Sequence, residues 1–294
     1  MKQKNKEGLA GFLYILPWIV GFLTLQLIPL INSLLYSFTD FSLLGKYKFL
    51  GLQNYVKIFT NDALFKQSLK VTFYYVLMAV PCKIIFALII ALILNQNLKG
   101  INIFRTLYYL PSILGGSIAI SVLWKYLFMD KGVVNQFLGF LGISSHQWLG
   151  DPKLALPTIG LVTVWEFGSS MLLFLAGLKQ IPTTYYEAAM IDGAGCWRRF
   201  WKITLPELSP IMLFNLIMQM INAFQDFTTP FVITEGGPMK STYLYGMMLY
   251  DQGFKFFRMG YASALSWVLF AIILVLTSLT FKSSQSWVHY GDNL

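Results

Sequence analysis

Six apolar stretches divide the chain, at about 10–34, 71–94, 103–128, 155–178, 207–229 and 259–281. Each approaches or exceeds the roughly 20 apolar residues a helix needs to cross a hydrocarbon core. Short polar segments separate them, and nothing between residues 9 and 281 interrupts the pattern long enough for a soluble domain. The expected fold is an all-α polytopic membrane protein with six transmembrane helices. The first stretch follows Lys2, Lys4 and Lys6, as a secretory signal would. Its apolar run is too long for a signal core and no small-x-small cleavage site follows, so a retained helix with its amino terminus inside is expected.

Three spans carry groups that lipid does not solvate. Lys83 follows Pro81 in the second span, where an isolated lysine costs roughly 2.5–3.5 kcal/mol on insertion scales. It must face protein, reach an interface or serve a substrate. Glu166 lies in the fourth span beside Trp165 and Gly168. In the fifth, Asn215, Gln219, Asn222, Gln225 and Asp226 recur at short intervals, and positions 215, 219, 222 and 226 share one helical face. Two readings fit this stripe: hydrogen-bonding glue between helices, or the wall of a translocation path.

Composition agrees with a bilayer setting. Of 294 residues, 56% are hydrophobic and 12% charged, about half the charged share of a soluble domain. The formal charge of +9 is scattered between apolar spans, which favours anionic lipid over nucleic acid. Cys82, Cys196, His146 and His289 form no metal-ligand spacing. Basic residues nearly balance between the two sets of loops, though the inner segments are shorter and denser in charge, so the positive-inside rule leans inward without deciding.

The segment between the fourth and fifth spans runs from Ile181 to Pro206. Pro182 suits a first helical turn, and Thr184 and Glu187 have capping-box spacing. Ala188 and Ala189 favour helix, and Gly193 permits a reversal. A second short helix would align Trp197, Phe200, Trp201 and Thr204, leaving Arg198, Arg199 and Lys202 for water or a partner. A helix-turn-helix between two membrane crossings is expected.

These residues resemble the EAA motif of ABC-importer permeases: Glu187, Ala188, Ala189, Gly193, Ile203, Leu205 and Pro206 match it without departure. Asp192-Gly193-Ala194, Thr234-Glu-Gly-Gly-Pro238, Ser241-Thr242, Gly260-Tyr-Ala-Ser-Ala264 and Gly51-Leu-Gln-Asn-Tyr55 are similar to the sugar-importer branch, relatives of the maltose and glycerol-phosphate permeases. The resemblance implies a type I importer (MetI-like) fold in a bacterial cell membrane with both termini cytoplasmic. It divides the chain into an amino-terminal segment and first helix (1–66), a five-helix core (67–283) holding the coupling loop 181–206, and a tail (284–294). It implies that Glu187, Ala188, Ala189, Asp192, Gly193, Ile203, Leu205 and Pro206 engage an ATPase, and that a second homologous permease, two cytoplasmic ATP-binding subunits and an extracellular solute-binding protein complete the complex. Gly236-Gly237-Pro238 is expected to shape an outer loop.

The chain has no P-loop sequence, so ATP and Mg are expected in a partner and no cofactor in this chain. For the substrate path the candidates are Gln219, Asn222, Gln225 and Asp226 with Glu166 and Trp165. Amides, carboxylates and aromatic faces replace water around hydroxyl-rich ligands. Glycerol phosphate or a polyol is the alternative substrate. An ion-coupled secondary transporter would also carry polar residues within its helices, but has no use for the Glu187 to Pro206 loop.

Overall fold

The computed structural model describes residues 2–42, 45, 47–96 and 99–289, with side chains from residue 12 onward. The basic side chains of Lys2, Lys4, Lys6 and Lys46, and the tail beyond residue 289, lie outside the described residues. The described chain is helical apart from turns and one isolated bridge, Thr39 with Phe49.

Three expected spans are single helical runs by length and apolarity: Phe12–Ser37, Ala63–Leu94 and Met259–Ser284. The first comprises α1 (Lys2–Phe22), a π-helical turn and α2 (Ile28–Ser37), and none of its most apolar window is buried within the chain. After α3 (Gln53–Thr60) comes α4 (Ala63–Leu94), which begins earlier than hydropathy suggested.

The other three are bent. The third span is α5 (Ile101–Leu114) and α6 (Ile118–Leu127), meeting at 102°. This corrects the expectation of a continuous helix at 103–128. Gly116 has φ +70 and Ser117 caps α6 by accepting the Ile120 N–H at 3.3 Å, so the backbone turns where glycine allows it. Beyond α7 (Val133–Phe140), α8 (Ala155–Trp165) and α9 (Gly168–Gln180) meet at 46°, with Glu166 in the break. Next come α10 (Thr183–Ile191) and α11 (Cys196–Glu207), the latter meeting α12 (Ser209–Phe224) at 64°. The fifth span therefore stops at Phe224 rather than running to 229. Three elements remain: α13 (Thr228–Thr234), α14 (Tyr245–Tyr250) and α15 (Met259–Ser284).

The chain forms two compact units, residues 1–62 with 249–271 and residues 63–248 with 272–294. In the first, Asn54 Nδ2 donates to the carbonyls of Ser37 and Thr39, both at 2.8 Å. The Gly260 N–H donates to the Phe41 carbonyl at 2.9 Å.

The second unit is organised on α4, which packs against α8, α9 and α12. Ser68, Thr72, Tyr75, Ala79, Lys83, Ala87 and Ala91 are buried along one face of α4. In lipid no water drives helices together, and small residues that permit close approach provide the contact. Gly177 follows the same rule, because a Cβ there would strike the side chains of Ile211 and Leu208.

Candidate functional site

Two of the three bends, α5–α6 and α8–α9, open on one place, where α12 also ends. A cavity of about 520 Å³ is lined by Tyr75 and Lys83 of α4, by Ser112, Gly115 and Gly116 at the α5–α6 break, by Thr163 and Glu166 at the end of α8, and by Gln219, Asn222, Gln225 and Asp226 at the end of α12. Interrupted helices expose backbone polar groups, which at membrane depth is tolerated where they line a cavity. The volume falls within the roughly 300–1,000 Å³ usual for small-molecule sites.

Each carboxylate has its own donors. The Glu166 side chain fills the notch left by Gly115, where a Cβ would lie 2.5 Å from Glu166 Cδ. Its Oε1 accepts the Gly116 N–H at 2.9 Å. Ser112 Oγ donates to the Glu166 carbonyl at 3.1 Å and accepts the Ser169 N–H at 2.9 Å, tying the two breaks together. Gly168 permits this approach, since a Cβ there would meet the Tyr108 carbonyl oxygen at 2.6 Å. Asp226 Oδ2 accepts the Tyr75 hydroxyl at 2.6 Å, and the backbone N–H groups of Thr229 and Phe227 also hydrogen-bond its carboxylate.

Lys83 differs. It is 7% exposed and lines the cavity, yet among the described residues no carboxylate or hydrogen-bond acceptor engages its ammonium. Of the destinations open to it, the structure selects the cavity over an interface.

The loop between the fourth and fifth spans folds as two short helices. Helix α10 ends at Asp192, and Gly193 follows with φ +75. The Ala194 N–H donates to the Ala189 carbonyl at 2.8 Å and the Gly193 N–H to the Met190 carbonyl at 3.0 Å, the paired bonds of a Schellman cap. The expected capping box does not form. Pro182 is extended at the N-cap with no side-chain cap bond, which puts Thr184 inside the helix instead of at its edge. Tyr186 Oη and Thr204 Oγ1, 3.0 Å apart, link the two helices. Glu187, Ala188 and Asp192 are exposed, as are Met190, Ile191, Trp197 and Trp201; Ile203, Leu205 and Pro206 are half-buried at the hinge into α12.

Residues 65–289 match the model of the binding-protein-dependent transport system inner membrane component family. The chain belongs to that family. A probable ABC transporter permease protein, YesP of Bacillus subtilis (strain 168), is 51% identical to this permease over 289 residues, 97% of this chain and 94% of the relative. The lactose transport system permease protein LacF of Rhizobium radiobacter is 35% identical, over 96% of each chain. The trehalose/maltose transport system permease protein MalF of Thermococcus litoralis is 33% identical, over 96% of this chain and 95% of its own. In fold, the permease matches a chain of a bacterial alginate ABC transporter crystallised with an alginate pentasaccharide-bound periplasmic protein, with a TM-score of 0.82, 22% identity and 95% of both chains covered. The all-α, MetI-like permease fold expected from the sequence is thus the fold present.

Within the permease, the residues proposed for a substrate path separate. Glu166, Gln219, Asn222, Gln225 and Asp226 line the cavity, whereas Trp165 is absent from its wall and meets Trp124 edge-on at 5.9 Å. The polar stripe of the fifth span divides by depth. The Asn215 amide donates to the Ile211 carbonyl at 3.3 Å within its own helix, and Gln219 Nε2 donates to Ser170 Oγ at 3.1 Å. Asn222 and Asp226 reach the cavity, Asp226 from beyond the helix end. Tyr75, Thr163 and Ser112 were not read from the sequence as site residues. Gly236, with φ +84, turns the loop after α13, where Thr242 Oγ1 donates to the Gly237 carbonyl at 2.7 Å.

Proposed function

We propose that this permease carries a sugar or oligosaccharide across the cell membrane, powered by ATP hydrolysis in a separate subunit and supplied by an extracellular solute-binding protein. The observation that carries the substrate class is the cavity. Side-chain amides, carboxylates and hydroxyls converge there on a space of about 520 Å³ between broken helices, which is the chemistry that replaces water around a polyhydroxylated ligand. The lactose, trehalose/maltose and arabinooligosaccharide permeases among its relatives support the same class.

In this reading the loop from Glu187 to Pro206 docks in the ATPase. Its exposed face mixes the Glu187 carboxylate with Met190, Ile191, Trp197 and Trp201, and such a patch on a polar loop suits a protein partner. Ala188, Ala189 and Asp192 sit at the contact; Gly193 fixes the angle, and Ile203, Leu205 and Pro206 pass movement into α12. Closure of two ATPase subunits would then rock the helices as rigid bodies around the cavity, a change driven by differential contact in two states. A second permease completes the pathway, both termini are cytoplasmic, and residues 67–283 act as the transport core. Gly236 to Pro238 shapes an outer loop.

Reconstitution of the complete complex in proteoliposomes tests this. Uptake of labelled oligosaccharide should require ATP, the ATPase and the loaded binding protein. Uptake that continues without the ATPase, driven by a proton or sodium gradient, would replace the reading with a secondary transporter.

A further inference from the structure

Lys83 brings the one cation to the cavity wall among the described residues, and no acceptor engages it there. Its ammonium opens onto the cavity and carries three donors and a full charge to offer a ligand. Here the side chain is 7% exposed, no described residue pairs with it, and it lines the same space as the proposed substrate site. The carboxylates of Glu166 and Asp226 share the cavity but spend acceptor capacity on Gly116, Tyr75, Thr229 and Phe227. They act on Lys83 by charge across space, without contact.

We infer that the cavity takes a glycan bearing a carboxylate, a uronate unit, and that Lys83 is the residue that recognises that group. The inference rests on the sugar-importer reading and narrows its substrate. The rest of the wall distinguishes a sugar acid from a simple anion. Glu166 and Asp226 keep free lone pairs that accept from sugar hydroxyls, and the amides of Asn222 and Gln225, which line the cavity, serve hydroxyls as donor or acceptor. A ligand with one carboxylate among several hydroxyls offers each group its complement. A phosphoryl group fits less well, because its charge of about −1.5 to −2 would meet one ammonium and two carboxylates.

The test uses the purified complete transporter, without binding protein, and reads the ligand-dependent rise in its thermal denaturation midpoint. The probes are a hexuronate disaccharide, its methyl ester and a sugar phosphate. The uronate should stabilise the wild type and Lys83→Arg, while its apparent affinity for Lys83→Gln should fall about tenfold or more, the usual scale for a hydrogen bond to a charged group. The methyl ester should bind wild type and Lys83→Gln alike. Equal binding of acid and ester by the wild type, undiminished uronate binding by Lys83→Gln, preference for the sugar phosphate, or no stabilisation by the uronate would each overturn the inference. Stimulation of ATP hydrolysis by loaded binding protein is measured in parallel. If it persists while the uronate fails, the importer reading stands and only the acidic ligand is lost.

Discussion

The Tyr75 hydroxyl donates to Asp226 Oδ2 at 2.6 Å, and Thr163 Oγ1 lies 2.6 Å from the same phenolic oxygen. Tyrosine has one hydroxyl proton, so with Asp226 accepting it, Thr163 is the donor to Tyr75. A directed chain of two hydrogen bonds thus joins α4, α8 and the end of α12 at the cavity.

The two links should differ in weight. Tyr75→Phe strips a carboxylate of its donor and should cost about 1.5–3 kcal/mol, whereas Thr163→Val removes a neutral bond worth about 1 kcal/mol. Thermal denaturation of the purified complex would rank them. A larger loss for Thr163→Val than for Tyr75→Phe would contradict the direction of the chain.

Gly115 is required by its neighbour's side chain rather than by its own backbone. Gly115→Ala would bring a methyl within 2.5 Å of Glu166 Cδ and should cost about 1–3 kcal/mol, as overpacking usually does, while uptake falls with the displaced carboxylate. Gly139→Ala, which meets nothing within 4 Å, should leave both readings unchanged. Glu166→Gln keeps an oxygen for the Gly116 N–H, so it should preserve stability and isolate the effect of charge on transport.

The loop from Glu187 to Pro206 makes a different demand. Gly193 holds φ +75, a conformation that costs other residues roughly 1–2 kcal/mol and asparagine less. Glu187→Ala and Gly193→Asp should both insert in the membrane normally yet lower substrate-stimulated ATP hydrolysis and uptake. Gly193→Asn should retain more activity than Gly193→Val. Normal transport by Glu187→Ala and Gly193→Asp would remove the loop from the mechanism.

In the other unit, a Cβ on Gly260 would strike the Thr39 carbonyl oxygen, and the Gly260 N–H already binds Phe41. Gly260→Ala should loosen the turn around Thr39 by about 1–3 kcal/mol. Limited proteolysis should then cut near residues 38–50 sooner than in the wild type.

Six spans were legible because hydropathy sums over about 20 residues and tolerates local irregularity. For the same reason the breaks were hidden: Gly115-Gly116-Ser117 is too short to lower a window average. Gln219, Asn222, Gln225, Asp226 and Glu166 stood out as polar residues in apolar runs. Tyr75, Thr163 and Ser112 did not, because a tyrosine or a small hydroxyl residue is unremarked in a membrane helix. A signal for Tyr75 was nonetheless present in the recurrence of Ser68, Thr72, Tyr75, Ala79, Lys83, Ala87 and Ala91 at three- and four-residue steps. In lipid the buried face is marked by small and polar side chains, so the usual search for an apolar stripe looks on the wrong side. The capping box failed because Thr184 and Glu187 have the right spacing but Pro182 claims the helix edge.

The first helix has its own consequence. Phe12–Ser37 runs for 26 residues, and no residue of its most apolar window is buried within the chain. A newly made subunit therefore offers the membrane a span with no fully buried residue along that window, its apolar side chains left largely for lipid or another chain. Surveillance proteases that sample lone helices would see the same surface on every unassembled copy. If the proposed second permease covers this helix, the cellular level of the chain should follow the supply of that partner more than its own rate of synthesis.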